Sequence, residues 1–259
     1  MYWQDRMLLS QRKVANKSIK QIEKQIAKYY AEAAKKCMED FESVYNKLLA
    51  TTAAGQQPTP ADLYKLDKYW TAQAAMREEL IKLGNKEIKL LSEAFERNWF
   101  DVYYSTLIPN IEDRTFNTVD KSLVQEMINQ IWCADGKSWS QRIWDNSEQL
   151  AEMLNEQLIH CVATGKKTTD LKNLLQERFG VSYSRADSLV RTEIAHIQTQ
   201  AAQKRYEDYG IQEVEIWADE DERRCDVCGE LHRKKYPMGA QVPIPAHPRC
   251  RCCIVPVVD

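Results

Sequence analysis

Between residues 12 and 50, Ile19, Ile22, Ile26, Tyr29, Ala33, Cys37, Phe41, Val44 and Leu48 recur at spacings of three and four, with lysines and glutamates between them. A stripe of that period is one face of an α-helix, and no strand pattern accommodates it. No glycine or proline interrupts it, and the whole chain holds only eight of each in 259 residues. With so few helix breakers, long helices are the default expectation.

The segment ATTAAGQQPTP breaks the first helix, and Thr59, Pro60 and Asp62 supply the N-cap, first-turn proline and acidic first turn that open the next. Leu63, Leu66, Trp70, Ala74 and Leu80 carry its stripe. Gly84 and Asn85 interrupt or kink the pattern, which Ile88, Leu91, Phe95, Trp99 and Val102 continue toward Pro109. Residues 1–110 therefore read as an extended helical arm, either a hairpin or three helices, and residues 110–117 as a linker. A second helical set follows over 119–131, 140–164, 169–179 and 182–209, the last three ending at Gly165, Gly180 and Gly210, where left-handed caps are expected. After Gly210 the period changes. Val214, Ile216, Cys253, Val255 and Val257 alternate as strand residues do. The expected fold is mainly α: the arm, then a domain over 118–259 made of helices to 210 and a small α+β zinc-knuckle-like module over 211–259.

The net charge of -2 argues against a chain that coats itself with nucleic acid. No uncharged run reaches the roughly 18 residues of a membrane span, and the opening MYWQDRMLLSQRK lacks a signal-peptide core, so a cytosol-like compartment is expected. In such a compartment cysteines stay reduced. Cys37, Cys133 and Cys161 stand alone in helical patterns, whereas Cys225, Cys228, Cys250, Cys252 and Cys253 fall within the last 35 residues. That crowding reads as metal ligands rather than disulfides.

Cys225 and Cys228 form a CxxC; after eighteen residues His247 and Cys250 form an HxxC, with Cys252 two positions on. Paired knuckles at this separation can fold back into the tetrahedron of soft and borderline donors that zinc prefers. Five candidates compete for four places, so one of His247, Cys250 and Cys252 is expected outside the shell. Because apolar residues are sparse here, area burial offsets little chain entropy, and a metal tie would supply the missing order. The competing interpretation is a set of free or buried thiols. A full shell of protein donors leaves no open position for catalysis, and neither HExxH nor the deaminase arrangement of HxE before PCxxC occurs. The expected role is one structural zinc, with no catalytic residue and no small-molecule substrate.

Three further features carry weaker chemistry. Glu193 and His196 share a helix face at the ExxH spacing of di-iron bundles, but no second ExxH exists, so Arg191 and Glu193 read as polar anchors of the helix against the C-terminal module. Arg233, Lys234, Lys235, Arg249 and Arg251 are basic, with no acidic residue between 231 and 258. They could touch a phosphate backbone or form a solvated or protein-binding face. Trp132, Trp139 and Trp144 cluster as core residues or interface anchors do.

Taken in order, GKSWSQRIW, LVRTEIAH, WADEDERRCDVCGELH and PAHPRCRC resemble the C-terminal domain of phage Mu F-like head morphogenesis, or minor capsid, proteins over residues 136–259. The resemblance implies a virion protein of low copy number, placed inside the head near the portal vertex after assembly in the host cytoplasm. It implies contacts with the portal and other capsid proteins, with scaffold or packaged DNA as further candidates, and a role in head assembly or genome delivery. It also implies an upstream helical part that varies between members. This sequence departs in two places: Arg233 stands where many relatives have glycine, and Ala246 where they have a second proline. Seven residues follow Cys252, and no further domain is expected after it.

Overall fold

A computed structural model of the chain describes residues 3–53, 56–106, 118–218 and 221–258. The linker expected at 110–117 lies outside the described residues. Among those described, seven helices precede, flank or interrupt one three-stranded sheet: α1 (Trp3–Thr51), α2 (Pro60–Tyr64), α3 (Asp67–Ser105), α4 (Lys121–Asn129), α5 (Trp139–Thr164), α6 (Thr168–Asp208), β1 (Glu213–Trp217), α7 (Asp226–Leu231), β2 (Lys235–Pro237) and β3 (Cys253–Pro256). The fold is mainly helical with a small sheet near the C-terminus, as expected.

Two compact units emerge, each assembled from segments distant in sequence. One combines Met1–Glu23, Leu90–Trp139 and Ser188–Asp259; the other combines Lys24–Lys89 and Ser140–Asp187. In the second unit α1 buries Ile26, Ala33, Cys37, Phe41, Val44 and Leu48. This is the stripe read from the sequence, with one change: Tyr30, not Tyr29, is the buried tyrosine. Tyr30 lies four residues after Ile26 and three before Ala33, which matches the helical period as well as Tyr29 does. On α3 the difference is larger. Trp70 is 56% exposed and the inward residues are Tyr69, Ala72, Met76, Leu80 and Leu83. The capping box of Thr59 and Asp62 opens only the short α2, which ends at Tyr64. A new helix starts at Asp67, so the stripe is re-phased and Trp70 and Ala74 turn outward.

Gly165 and Gly210 have φ of +62° and +71° and end α5 and the turn after α6, as expected of left-handed caps. Gly180 does not: α6 runs through it from Thr168 to Asp208, so the two helices expected there are one. Buried residues continue across the glycine, with Leu175 and Phe179 before it and Ser182, Ala186 and Val190 after it. A single face that stays buried outweighs the roughly 1 kcal/mol helix penalty of one glycine.

In the first unit, Phe95, Trp99, Val102 and Tyr103 of α3, Val124 and Ile128 of α4, and Val190, Ile194, Ile197 and Tyr206 of α6 are buried. Asp120 caps α4 by accepting from the Ser122 N–H at 2.8 Å. The sheet order is β2-β1-β3, both pairings antiparallel, with Ile216 opposite Ile254 and Val214 between Tyr236 and Pro256. Strand β1 is central, and its Val214 and Ile216 are fully buried. The Tyr206 hydroxyl on α6 donates to the Ile254 carbonyl at 3.3 Å, tying sheet to helix. Strand β2 was not anticipated: it has three residues, two of them exposed, and offers no alternation to read.

Candidate metal centre

The loop after β1 returns as α7, and Cys225 is that helix's N-cap residue. Its Sγ accepts from the Cys228 N–H at 3.5 Å, the contact that orients the first thiol of a CxxC knuckle. Cys228 follows within the first helical turn, and its side chain is buried. The other arm is the loop between β2 and β3: His247 and Cys250 close a turn in which the Cys250 N–H donates to the His247 carbonyl at 3.1 Å. Cys252 immediately precedes β3.

These arms meet. His247 Nε2 lies 3.3 Å from Cys225 Sγ and 3.1 Å from Cys228 Sγ, and Cys228 Sγ lies 3.8 Å from Cys250 Sγ. The donors form two overlapping triads, Cys225, Cys228, His247 and Cys228, Cys250, Cys252, each with ligand atoms within 4.8 Å of one another. All five residues singled out in the sequence are thus brought together, with Cys228 common to both groups. Cys253, the fifth cysteine of the tail, belongs to strand β3 and to neither triad.

The spacing fits a metal. A tetrahedron with metal–sulfur bonds of about 2.3 Å and metal–nitrogen bonds of about 2.0 Å has sulfur–sulfur edges of about 3.8 Å and sulfur–nitrogen edges of about 3.5 Å. The imidazole is also oriented for ligation. His247 Nδ1 donates to the Pro248 carbonyl at 2.8 Å, which leaves the Nε2 lone pair facing the two thiols.

Charge tells the same story. Cys225 is held below the ordinary thiol range, first by the Cys228 N–H and then by His247. Cys250 is pulled down to about 5, chiefly because the Cys252 thiol donates to it, and Cys252 is pushed up for the same reason. Burial pushes Cys228 up to about 12. At His247 burial opposes the charged form, but the Pro248 carbonyl and the neighbouring thiolates outweigh it and raise the imidazole. Three converging sulfurs cannot all be anionic in a buried place without a cation among them; a divalent ion would supply that charge and release the protons.

Arg191 and Glu193, expected to fix α6 against the C-terminal module, have partners on other parts of the chain. Arg191 pairs with Glu23 of α1. Glu193, 3% exposed, accepts from Trp132 Nε1 at 3.0 Å. Trp132 in turn stacks on His196, with ring centroids 4.2 Å apart at 14°. Between the two anchors, Thr192 Oγ1 accepts from the backbone N–H of Arg249 at 3.1 Å. Sequence reading passed over Thr192, whose only signal was its place inside the Arg-Thr-Glu triplet.

Three of the five basic residues are engaged within the module. Arg251 makes a bidentate pair with Asp221 at 2.5 and 2.6 Å, and Lys235 lies 3.7 Å from Glu213. The Arg233 guanidinium sits 5.2 Å from the Trp217 ring centroid. Arg233 also has a φ of +64°, the conformation that glycine adopts most cheaply, at the position where the family resemblance expects glycine.

A long helix that carries an Arg-Thr-Glu triplet, a small antiparallel sheet and a converging set of thiols and one imidazole together define a compact Cys/His-centred α+β module built on helices. Residues 152–255, which hold α6, β1, β2, all but the last residue of β3 and all five donors, match the family model described as Phage Mu protein F like protein. No curated protein and no solved structure matches the chain.

Proposed function

We propose that this is a phage minor capsid protein, a non-enzymatic component of the head that acts in its assembly or in genome delivery. The observation that carries the reading is the family match over residues 152–255, which coincides with the segment that gathers the donors. In this reading the protein is made in the host cytoplasm and ends inside the head at the portal vertex. The portal is its main partner and other capsid proteins or scaffold are further ones. The N-terminal helices, upstream of the matched segment, supply the partner-binding surface. No helix among the described residues is long and apolar enough to cross a membrane, in keeping with a role inside a particle.

Four of Cys225, Cys228, His247, Cys250 and Cys252 would hold one zinc ion. Bound there, zinc would supply a structural tie between α7 and the loop before β3, with every position taken by protein donors. The residues do the rest: Cys225 caps α7, His247 is fixed by Pro248, and β3 anchors the returning chain. A second reading, contact with packaged DNA through Arg233, Lys234, Lys235, Arg249 and Arg251, lacks a specific observation in its favour, since three of these already face Asp221, Glu213 and Trp217.

Two measurements test the proposal. Elemental analysis of the purified full chain is expected to give one zinc per molecule, lost in Cys228→Ser, the residue common to both triads. Absence of metal in the wild type would remove the structural tie. Immunodetection in fractionated particles is expected to place the protein in heads and to recover portal with it. Its absence from heads would remove the capsid role.

A further inference from the structure

One arm of the Cys/His cluster is contacted by a residue that belongs to neither arm. We propose that Thr192 is the positioning residue of the metal centre, acting through the Arg249 backbone on the turn that carries His247 and Cys250. The inference rests on the metal reading above and adds to it the device that keeps two of the donors in place.

The turn is short and unusual. Arg249 lies between the two donors with a φ of +61°, a backbone conformation that an L-residue keeps only when its surroundings impose it. The turn closed by the Cys250 N–H on the His247 carbonyl accounts for a positive φ at its third residue, and that same residue is tied from outside: the Arg249 N–H, on an exposed residue, donates to Thr192 Oγ1 at 3.1 Å across 57 positions of sequence. The hydroxyl is directed by its own donation to the Ser188 carbonyl one turn back, at 2.7 Å. Its proton is therefore committed, and its lone pairs are left for the loop.

Thr192 stands on a fixed point of α6. The residue before it, Arg191, pairs with Glu23, and the residue after it, Glu193, takes the Trp132 indole N–H at 3.0 Å. Three consecutive residues thus grip three separate stretches of chain, and the middle one grips the ligand loop. Supports of this kind, one step removed from a metal's donors, change affinity by about 10- to 100-fold when removed.

The test uses the full chain and zinc itself, titrated against a chromophoric chelator, with Thr192→Ala and Thr192→Ser beside the wild type. Alanine removes the acceptor yet is the better helix former, so α6 itself gains. Thr192→Ala is expected to bind zinc about tenfold more weakly and to release it faster, while its metal-free form melts no lower than the wild type's. Thr192→Ser, which keeps the hydroxyl, is expected to bind as the wild type does. Equal affinity in Thr192→Ala would overturn the inference, as would a serine variant as weak as alanine or a metal-free alanine variant that melts lower. A wild type that takes up no zinc would instead bring down the metal reading itself, a result distinguishable because all three proteins would then behave alike.

Discussion

Glu87 makes the unit formed by residues 24–89 and 140–187 sensitive to pH in a direction opposite to that of most carboxylates. It lies on α3 with 1% of its surface exposed, and its Oε1 meets no donor among the described residues. The nearby Tyr30 hydroxyl accepts from Asn146 Nδ2 at 3.0 Å and lies 3.4 Å from Ser182 Oγ. Burial raises the carboxyl from its ordinary 4.5 to about 7, and the hydrogen bond from Tyr30 offsets only part of that. The folded state therefore keeps a proton that the unfolded chain gives up. This contribution to stability is complete below about pH 4.5 and is lost as pH rises through about 7. At about 1.4 kcal/mol per unit the span amounts to ~3 kcal/mol. Glu87→Gln keeps the size and an acceptor for Tyr30 but cannot ionise. Paired thermal unfolding of wild type and variant, in steps from pH 4.5 to 8, cancels every other titrating group in the difference. The variant is expected to gain on the wild type with rising pH by ~3 kcal/mol, roughly 6–12 °C for a chain of this size. A difference that stays constant across the range would refute the argument that Glu87 is neutral when buried.

Two pairs of substitutions test the backbone. Gly180 is helical, and an added Cβ would meet nothing within 4 Å, whereas Gly165 has a φ of +62° and an added Cβ would lie 3.1 Å from Gln57. Gly180→Ala is expected to stabilise by about 0.5–1 kcal/mol and Gly165→Ala to destabilise by at least as much, read from urea midpoints; equal signs would contradict the continuous α6 or the left-handed cap. At Arg233, Gly and Ala both lose the contact over Trp217, but only Gly relieves the φ of +64°. Arg233→Gly is expected to be more stable than Arg233→Ala by about 1 kcal/mol, and equal melting would show that the position carries no backbone strain.

The helices were legible because their information is local. A period of three and four in the stripe of α1, a glycine at a left-handed cap and a Thr-Pro-x-Asp start each act over one or two turns. Failures arose where distant packing decided. Tyr29 and Tyr30 fit the α1 stripe equally well, and only the surrounding core selects one. Gly180 has the composition of a stop, but a stop also requires the buried face to end, and Phe179, Ser182 and Ala186 carry it onward. On α3 the error was one of phase, since two unassigned residues between α2 and α3 turn Trp70 to the surface.

The gathering of the Cys and His side chains was legible for a different reason: few chemistries require CxxC and HxxCxC in one short tail, so composition and spacing stand in for geometry. Spacing could not choose four donors among five, and the fold makes the reason plain. Cys228 sits where the two arms cross, so every donor pair that involves it looks favourable, and the choice between Cys250 and Cys252 depends on the direction of one turn. Arg249 in that turn has a φ of +61° and donates its N–H to a threonine 57 residues away on another element. Replacing Thr192 should therefore disturb the last donor while leaving every ligand in place.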